Sequence, residues 1–359
     1  MKKLIFTGAA LLMMATAYAQ TNTATLSQSG TGNGATLNQS GAEQAVTVVQ
    51  NGTDNEVLTN QTSIYSQEIF ISQTGLGSSA TVNQNADAGP SNLVNITQNG
   101  TGAGGNEANV NQSSFYTVAA TAGISQDGEN NSATIDQRGT GATGLSQNNQ
   151  AYISQVGANH EATIAQTDGD NNFAEIVQEG DGGDASIAQT GNGNYAGILQ
   201  STVFGPVTAD IVQAGDGNEA LILQANNNGP DNSATITQTG DGNYAGINQS
   251  DLFTIGSTAT ITQLGDFNAA VINQIDAIGS TASISQDGND NIAQIDQTGL
   301  SDFNLAEISQ VGDSHFAYIL QTTGSGNVAT SQQTGTGGYV YISQTGSDNN
   351  ASVVQSNLP

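Results

Sequence analysis

No cysteine occurs in this sequence, which excludes disulfide bonds, thiolate metal ligands and cysteine nucleophiles. Positive charge is almost as scarce, because only three of the 359 residues are Lys or Arg. Two of these are Lys2 and Lys3, and the third is Arg138. Nucleic acids and anionic lipid headgroups are held by Lys and Arg. We therefore expect neither of them to be a partner of this chain, whose formal net charge is −28.

Charged side chains of both signs make up only 9% of the sequence, whereas a globular domain has roughly 25%. Tryptophan is absent and proline occurs four times, but there are 45 glycines. High Gly, Asn and Gln with low charge indicate either a repeat array or disorder. An ordinary enzyme domain does not have this composition.

Residues 1–19 have the pattern of a bacterial secretory signal peptide. Lys2 and Lys3 precede an apolar stretch from Leu4 to Met14, and Ala17-Tyr18-Ala19 forms a small-x-small cleavage site. This stretch is shorter than the roughly 20 apolar residues of a membrane span, and no later stretch is long enough. The sequence predicts a chain of residues 20–359 that is secreted and not inserted into a membrane.

One phrase, Gln-x-Gly-x-x-Asn-x-Ala-x-Ile-x-Gln, repeats along residues 20–359. Its closing glutamine recurs 28 times between Gln28 and Gln355, about every 12 residues. Three copies are especially clear, and we predict that their fixed positions build structural ladders and arches. These positions are Gln189, Gly191, Asn194, Ala196, Ile198, Gln200, Gln213, Gly215, Asn218, Ala220, Ile222, Gln224, Gln238, Gly240, Asn243, Ala245, Ile247 and Gln249.

Alternation within the phrase predicts a β-strand, since Asn, Ala, Ile and Gln fall on one face and variable residues on the other. The Gly two positions after each Gln, and the Asn that follows, are residues that tolerate a tight reversal. Strand and arch of near-constant length predict an all-β parallel β-solenoid of about 14 turns, with two strands per turn. An antiparallel hairpin sandwich is the alternative, but it would not need the same residue at the same place in every unit.

A parallel stack places Ile on Ile and Ala on Ala, with Asn and Gln in amide ladders. Pro90, Pro206 and Pro230 lie in longer links just before predicted strands, where no ladder N–H is needed. Link lengths also predict that the longer links change edge between Gln189 and Gln200.

A single turn buries too few apolar side chains to fold, so each turn depends on its neighbours. The first closing glutamine is Gln28 and the last is Gln355, and we see no capping sequence at either end. An uncovered strand edge is a template for another chain. The sequence therefore predicts end-to-end polymerisation.

The stricter phrase Gln-x-Gly-x-Gly-Asn-x-Ala-x-x-x-Gln starts at Gln189, Gln213 and Gln238, and Ser-x-x-x-x-x-Gln starts at Ser257 and Ser280. These phrases resemble the curlin repeat of bacterial curli subunits. The resemblance implies a secreted subunit of extracellular, cell-surface amyloid fibres that serve biofilm cohesion and adhesion. It also implies other copies of the chain, a nucleator and an outer-membrane export channel as partners. The array here is longer than is usual in the family, and only about eight residues separate the predicted cleavage site from Gln28.

No catalytic constellation is recognisable, and we predict neither enzymatic activity nor a cofactor. His160 and His315 are the only histidines, and both replace the Asn of the phrase. We interpret them as substitutes that hydrogen-bond the arch, since they are too far apart in the array to share a metal.

Aspartate recurs in the predicted arches, as at Asp181, Asp216, Asp241 and Asp266. One interpretation is calcium binding. The other is a set of solvated charges whose mutual repulsion slows premature association, so that assembly is faster at acid pH or high salt.

Aromatic residues recur after the Asn position and are predicted to pack between turns or to form an adhesive stripe; they are Phe173, Tyr195, Tyr244 and Phe316. An alternative function is therefore a monomeric, calcium-binding repeat adhesin of the cell surface.

Overall fold

The computed structural model describes residues 21–63, 66–86, 91–101, 104–114, 116–139, 145–202, 205–226, 231–250 and 254–357. The predicted signal peptide lies outside these ranges, as do Pro90 and Pro230. Thirty β-strands are present in the described residues, which contain no helix and therefore no helix that could cross a membrane.

Two sheets of 14 strands face each other, and they are named sheet A and sheet B here. Sheet A consists of β1 (Thr23–Thr31), β3 (Gln44–Thr53), β5 (Gln67–Leu76), β7 (Asn92–Gly100), β10 (Thr121–Glu129), β13 (Gln150–Ala158), β15 (Phe173–Asp181), β17 (Tyr195–Thr202), β19 (Glu219–Asn226), β21 (Tyr244–Ser250), β23 (Ala269–Ile278), β25 (Ile292–Asp302), β27 (Phe316–Thr322) and β29 (Tyr339–Thr345).

Sheet B consists of β2 (Gly34–Gly41), β4 (Glu56–Ser63), β6 (Ser79–Ala86), β8 (Glu107–Ser114), β11 (Ser132–Arg138), β14 (Glu161–Thr167), β16 (Gly183–Thr190), β18 (Val207–Ala214), β20 (Ser233–Thr239), β22 (Thr258–Leu264), β24 (Thr281–Asp287), β26 (Leu305–Asp313), β28 (Val328–Thr336) and β30 (Asn350–Asn357). Two short strands, β9 (Tyr116–Val118) and β12 (Leu145–Gln147), pair with each other in the links.

The chain alternates between the sheets, so each strand pairs in parallel with the strand one turn away. This confirms the predicted β-solenoid of 14 two-strand turns, and the antiparallel hairpin sandwich is wrong. The longer links lead into sheet A strands as far as Gln178 and into sheet B strands from Gln213 onward, which confirms the predicted change of edge. One exception is the longer link into Gln112, which leads to sheet B. Pro206 immediately precedes β18, as predicted.

The core is a double column of apolar side chains between the sheets. Ile222 pairs in register with Ile198 on one side and Ile247 on the other, and each is 2% exposed. Ala196, Ala220 and Ala245 form the neighbouring column and are fully buried. Small and β-branched side chains thus alternate along each strand, which fits two sheets that pack closely.

Glycine is required where the arch leaves the strand. Gly215 has a φ of 120°, and a Cβ there would lie 2.1 Å from the carbonyl oxygen of Gly240 in the next turn. The same contact recurs between Gly191 and Gly215 at 2.1 Å. Backbone of successive turns therefore meets at a distance that only glycine permits.

Candidate functional site

The closing glutamines form two unbroken ladders along the solenoid. In sheet A the amide Nε2 of each glutamine donates to Oε1 of the glutamine one turn later, from Gln28 to Gln344, over 2.7–2.9 Å. In sheet B the same ladder runs from Gln39 to Gln355 over 2.8–3.1 Å. Every donor points toward the C-terminal end, so the solenoid has a chemical polarity.

Most ladder amides also link the two sheets. Gln213 Nε2 of sheet B donates to the carbonyl of Tyr195 in sheet A at 3.0 Å, and Gln224 of sheet A donates to the carbonyl of Thr208 in sheet B at 3.0 Å. Both donor hydrogens of these buried amides are therefore used. A fully satisfied polar network of this kind fixes the register of the stack.

The predicted positions Gln189, Gln200, Gln238 and Gln249 lie in the same two ladders. All are at most 1% exposed.

Asparagine closes the arch by bonding in both directions along the stack. The backbone N–H of Asn218 donates to Oδ1 of Asn194 at 3.0 Å, and its Nδ2 donates to the carbonyl of Gly240 at 2.8 Å. Asn243 repeats this arrangement one turn later. The side chain of Asn218 thus accepts the backbone N–H of Asn243 and donates to the carbonyl of Gly240, both of which belong to the arch one turn later.

The two histidines replace asparagine in these arches, as their position in the phrase indicates. The backbone N–H of His160 donates to Oδ1 of Asn131 at 3.1 Å, and that of His315 donates to Oδ1 of Asn291 at 3.0 Å. Both histidines are 1% exposed.

Glycine occupies the Asn position one turn after each histidine. The N–H of Gly183 donates to Nδ1 of His160 at 3.1 Å, and the N–H of Gly338 donates to Nδ1 of His315 at 3.0 Å. A Cβ on Gly183 would lie 3.1 Å from that Nδ1, and a Cβ on Gly338 would lie 2.8 Å from its counterpart. The imidazole is larger than the amide it replaces, so the next turn has no side chain at this point.

Hydrogen bonding determines the tautomer of His160. Its Nδ1 accepts from a backbone N–H, so the ring proton is on Nε2, which lies 3.3 Å from the carbonyl of Val156 and 3.1 Å from that of Gly180. Burial lowers the pKa of His160 below 6.5, while these carbonyls and the charge of Asp181 act in the opposite direction. The neutral imidazole is the form that this arch accommodates.

Arch aspartates are exposed, but they are not simply solvated. Oδ1 of Asp241 accepts the backbone N–H of Asp216 at 2.7 Å, and Oδ1 of Asp266 accepts that of Asp241 at 2.8 Å. Asn192 and Asn289 take part in the same column. These carboxylates therefore bridge successive arches, a role that the charge-repulsion interpretation omitted.

The residues in the described ranges include no group of three His, Cys, Asp or Glu side chains that could hold a metal ion. Asp184, beside the Gly182-Gly183 pair, has a pKa raised first by burial and then by the charges of Glu161 and Asp210. Nothing in the described geometry supports the calcium interpretation.

Outward aromatic rings pack between turns. Phe173 stacks on Tyr195 with ring centroids 5.1 Å apart and planes 5° apart, and Phe316 stacks on Tyr339 at 5.0 Å and 8°. Tyr244 has no aromatic neighbour in its column, because Glu219 and Ala269 flank it.

Sequence reasoning missed the glycines paired with the histidines and the side-chain to backbone bonds of the aspartates. The signal for the first was present, since each glycine lies 23 residues after its histidine. The distance of 23 residues identifies a stacked pair only after the repeats have been aligned, because link lengths differ between turns.

Comparison with known families finds the curlin associated repeat, whose family model matches residues 169–201, 229–252 and 304–335. The three matched stretches include the strands around Gln189, Gln238 and His315, where the ladders and arches above are built. No curated protein matches the chain.

Proposed function

We propose that this chain, three stretches of which match the curlin associated repeat, is a secreted structural subunit that assembles end to end into extracellular curli-like amyloid fibres. Such fibres would serve biofilm cohesion and adhesion, and the chain would have no catalytic role. The observation that carries the proposal is the complementarity of the two ends of the solenoid.

Each sheet ends in a strand whose outer edge is unpaired in the described part of the chain. Sheet A ends in β1 and β29, and sheet B ends in β2 and β30. The inward side chains of each end strand are two apolar residues and a closing glutamine. Ala35 and Leu37 at one end, and Ala351 and Val353 at the other, are only partly buried. Stacking one end on the other would continue both apolar columns.

Ladder polarity supports a head-to-tail joint. Gln344 and Gln355 each donate one amide hydrogen to a backbone carbonyl, at 2.8 Å and 2.9 Å, and have a second hydrogen that points beyond the last turn. At the other end, Oε1 of Gln28 and of Gln39 accepts no bond from a described residue. A second copy in register would place Gln28 over Gln344 and Gln39 over Gln355, with donor facing acceptor.

Charge distribution supports the same joint. Residues 21–42, which contain β1 and β2, have no charged side chain, and residues 339–357 have only Asp348. All the other carboxylates of this strongly acidic chain lie between residues 42 and 339 of the sequence. Like charges repel, so two copies meet with least repulsion at the ends.

Secretion and assembly partners belong to the same proposal. The predicted signal peptide of residues 1–19 directs export, and a nucleator subunit and an outer-membrane channel are the partners that the family implies. The alternative is a monomeric adhesin of the cell surface.

Electron microscopy and seeded growth of purified residues 20–359 test the proposal. We expect fibres whose growth is accelerated by their own fragments. A persistently monomeric protein that its fragments do not seed would favour the adhesin.

A variant pair tests the joint. Leu26 is an inward residue of β1 that is 37% exposed, so Leu26→Lys is tolerated in a single copy but buries a charge in the joint. We expect elongation to slow at least about 100-fold, a barrier of about 2.7 kcal/mol. The outward neighbour Thr25→Lys is the matched control and should grow at the wild-type rate. Equal growth of both variants would contradict the joint.

A further inference from the structure

The outward face of sheet A differs in chemistry from the outward face of sheet B. Every aromatic residue of the 28 main strands is in sheet A and points outward; these residues are Phe70, Tyr152, Phe173, Tyr195, Tyr244, Phe316, Tyr318, Tyr339 and Tyr341. Sheet B has none. Its outward positions are mostly Thr, Ser and Asn, as in β22 with Thr258, Thr260 and Thr262. We call the outward face of sheet A from β13 to β29 the aromatic face.

Negative charge is also divided unequally between the outward faces of the two sheets. Between the arch and the closing glutamine, the outward positions of sheet A include four carboxylates, whereas those of sheet B include seven. Tyr195, Leu199 and Tyr244 are 39–41% exposed to solvent, and Tyr339 is 65% exposed. Exposed aromatic and aliphatic side chains that cluster on one face of a protein mark an interaction site.

The aromatic face is not flat but contains a cleft. Gly197 and Gly246 have no side chains at two outward positions, and they line a cleft of about 440 Å³ with Tyr195, Leu199 and Tyr244. A protruding side chain from an opposing surface would fill this cleft.

Ring orientation argues against a carbohydrate as the occupant. Sugars stack on the free face of an aromatic ring, but in the stacked pairs Phe173–Tyr195 and Phe316–Tyr339 one face of each ring is covered by the other ring. Stacked aromatic rings and aliphatic side chains are typical of the dry, interdigitated contact between two packed β-sheets.

The area of the aromatic face is sufficient for a stable contact between two copies of the chain. With strands about 4.8 Å apart and about 3.3 Å per residue, the aromatic face covers about 40 by 17 Å. Two such faces together bury on the order of 1,300 Å², within the range of about 1,200 to 2,000 Å² typical of specific interfaces.

We propose that the aromatic face is a lateral interface between two copies of this chain, with sheet A packed on sheet A about a two-fold axis. The same patch then serves both copies, and the hydrophilic outer face of sheet B remains in water. In fibres, this contact pairs two solenoids side by side. That part rests on the proposed end-to-end assembly, but pairing of soluble copies does not.

Matched lysine substitutions test the interface. Tyr195→Lys with Tyr244→Lys changes the first outward position of β17 and β21, and Thr208→Lys with Thr258→Lys changes the same position of β18 and β22 in sheet B. Each double variant adds the same charge. Electron microscopy should show paired solenoids for the wild type and the sheet B variant, and single solenoids for the tyrosine variant. Single wild-type solenoids, or paired ones in the tyrosine variant, would overturn the proposal.

Sedimentation of the soluble protein separates this inference from fibre formation. If no fibres form, end-to-end assembly fails, but we still expect a concentration-dependent dimer whose dissociation constant rises at least about 100-fold in the tyrosine variant and not in the sheet B variant. A strict monomer, or an equal effect of both variants, would refute lateral pairing. So would tyrosine-dependent binding of soluble linear β-glucan by the wild type without dimerisation.

Discussion

The histidine and glycine pairs allow a sharp test of how the arches are stabilised. His160 and Gly183 occupy successive Asn positions, and the glycine N–H donates to the imidazole Nδ1 at 3.1 Å. If the glycine is present because the imidazole fills the space above it, the effects of replacing the two residues must be strongly coupled. Replacing each by Asn, alone and together, gives a complete double-mutant cycle.

The structure sets the expected magnitudes. In Gly183→Asn, the new Cβ would lie 3.1 Å from His160 Nδ1, in addition to 2.8 Å from Gln200 Oε1 and 3.0 Å from Gln178 Nε2. Overpacking costs typically about 1 to 3 kcal/mol, and displacement of the backbone N–H of residue 183 from His160 Nδ1 adds about 1 kcal/mol or more. His160→Asn introduces the usual residue of the arch and leaves a small void, at about 1 kcal/mol. In the double variant two asparagines stack as elsewhere, so we expect a coupling of about 2 kcal/mol.

Hydrogen exchange of the segment around Gly183 is the appropriate measurement, because a long repeat array does not unfold in one cooperative step. A coupling of about 2 kcal/mol means that Gly183→Asn lowers protection roughly 30-fold more in the wild-type background than in the background of His160→Asn. The equivalent cycle at His315 and Gly338 should give the same sign. Additive effects at both sites would refute the spatial argument.

Two further predictions concern ionisable groups of the arches. Burial lowers the pKa of His160 in the folded chain, so the unfolded chain binds a proton more readily; the contribution of this arch to stability is complete above about pH 6.5 and is lost as pH falls below it. Hydrogen exchange at pH 5 and pH 7.5, corrected for intrinsic rates, should therefore show a loss of protection near His160 that His160→Asn lacks, and an equal loss in both proteins would count against it. For Asp241→Asn, we expect stronger hydrogen-exchange protection of the neighbouring arches at low salt and little difference at high salt, because the amide Oδ1 still accepts the N–H of Asp216 while one stacked charge is removed. Protection that falls at low salt would show that the carboxylate is needed as the acceptor.

The solenoid could be predicted from the sequence because its inward positions are nearly invariant. Gln, Ile, Ala and Asn recur at fixed distances, and only parallel stacking places each residue type on itself. Even the change of edge of the longer links followed from counting between closing glutamines. The predicted site residues lie in the ladders and arches for the same reason, since Gln213 and Asn218 bond only to their counterparts one turn away and to nearby backbone.

The features that could not be predicted from the sequence are contacts between turns, made at positions whose residue type varies from turn to turn. The pairing of His160 with Gly183 involves one position in two different turns, and no single copy of the phrase contains it. The aspartates were interpreted as charges, because the backbone N–H that Asp241 accepts belongs to the previous arch. Variable outward positions follow no phrase, and assigning them to two different faces requires knowing which strands belong to which sheet.

The separation of inward and outward positions has a consequence for how such a chain can evolve. Ladders and apolar columns fix the register of every turn, and they would also make the end-to-end joint, so a change in them affects folding and polymerisation together. Outward side chains do not set this register, since a strand of sheet B with Thr258 and a strand of sheet A with Tyr244 both pair in register in their own sheets. Aromatic residues could therefore collect on one face and be excluded from the other without loss of the fold. Their restriction to sheet A is thus a property that the fold does not demand, which is why it argues for an interaction made by that face.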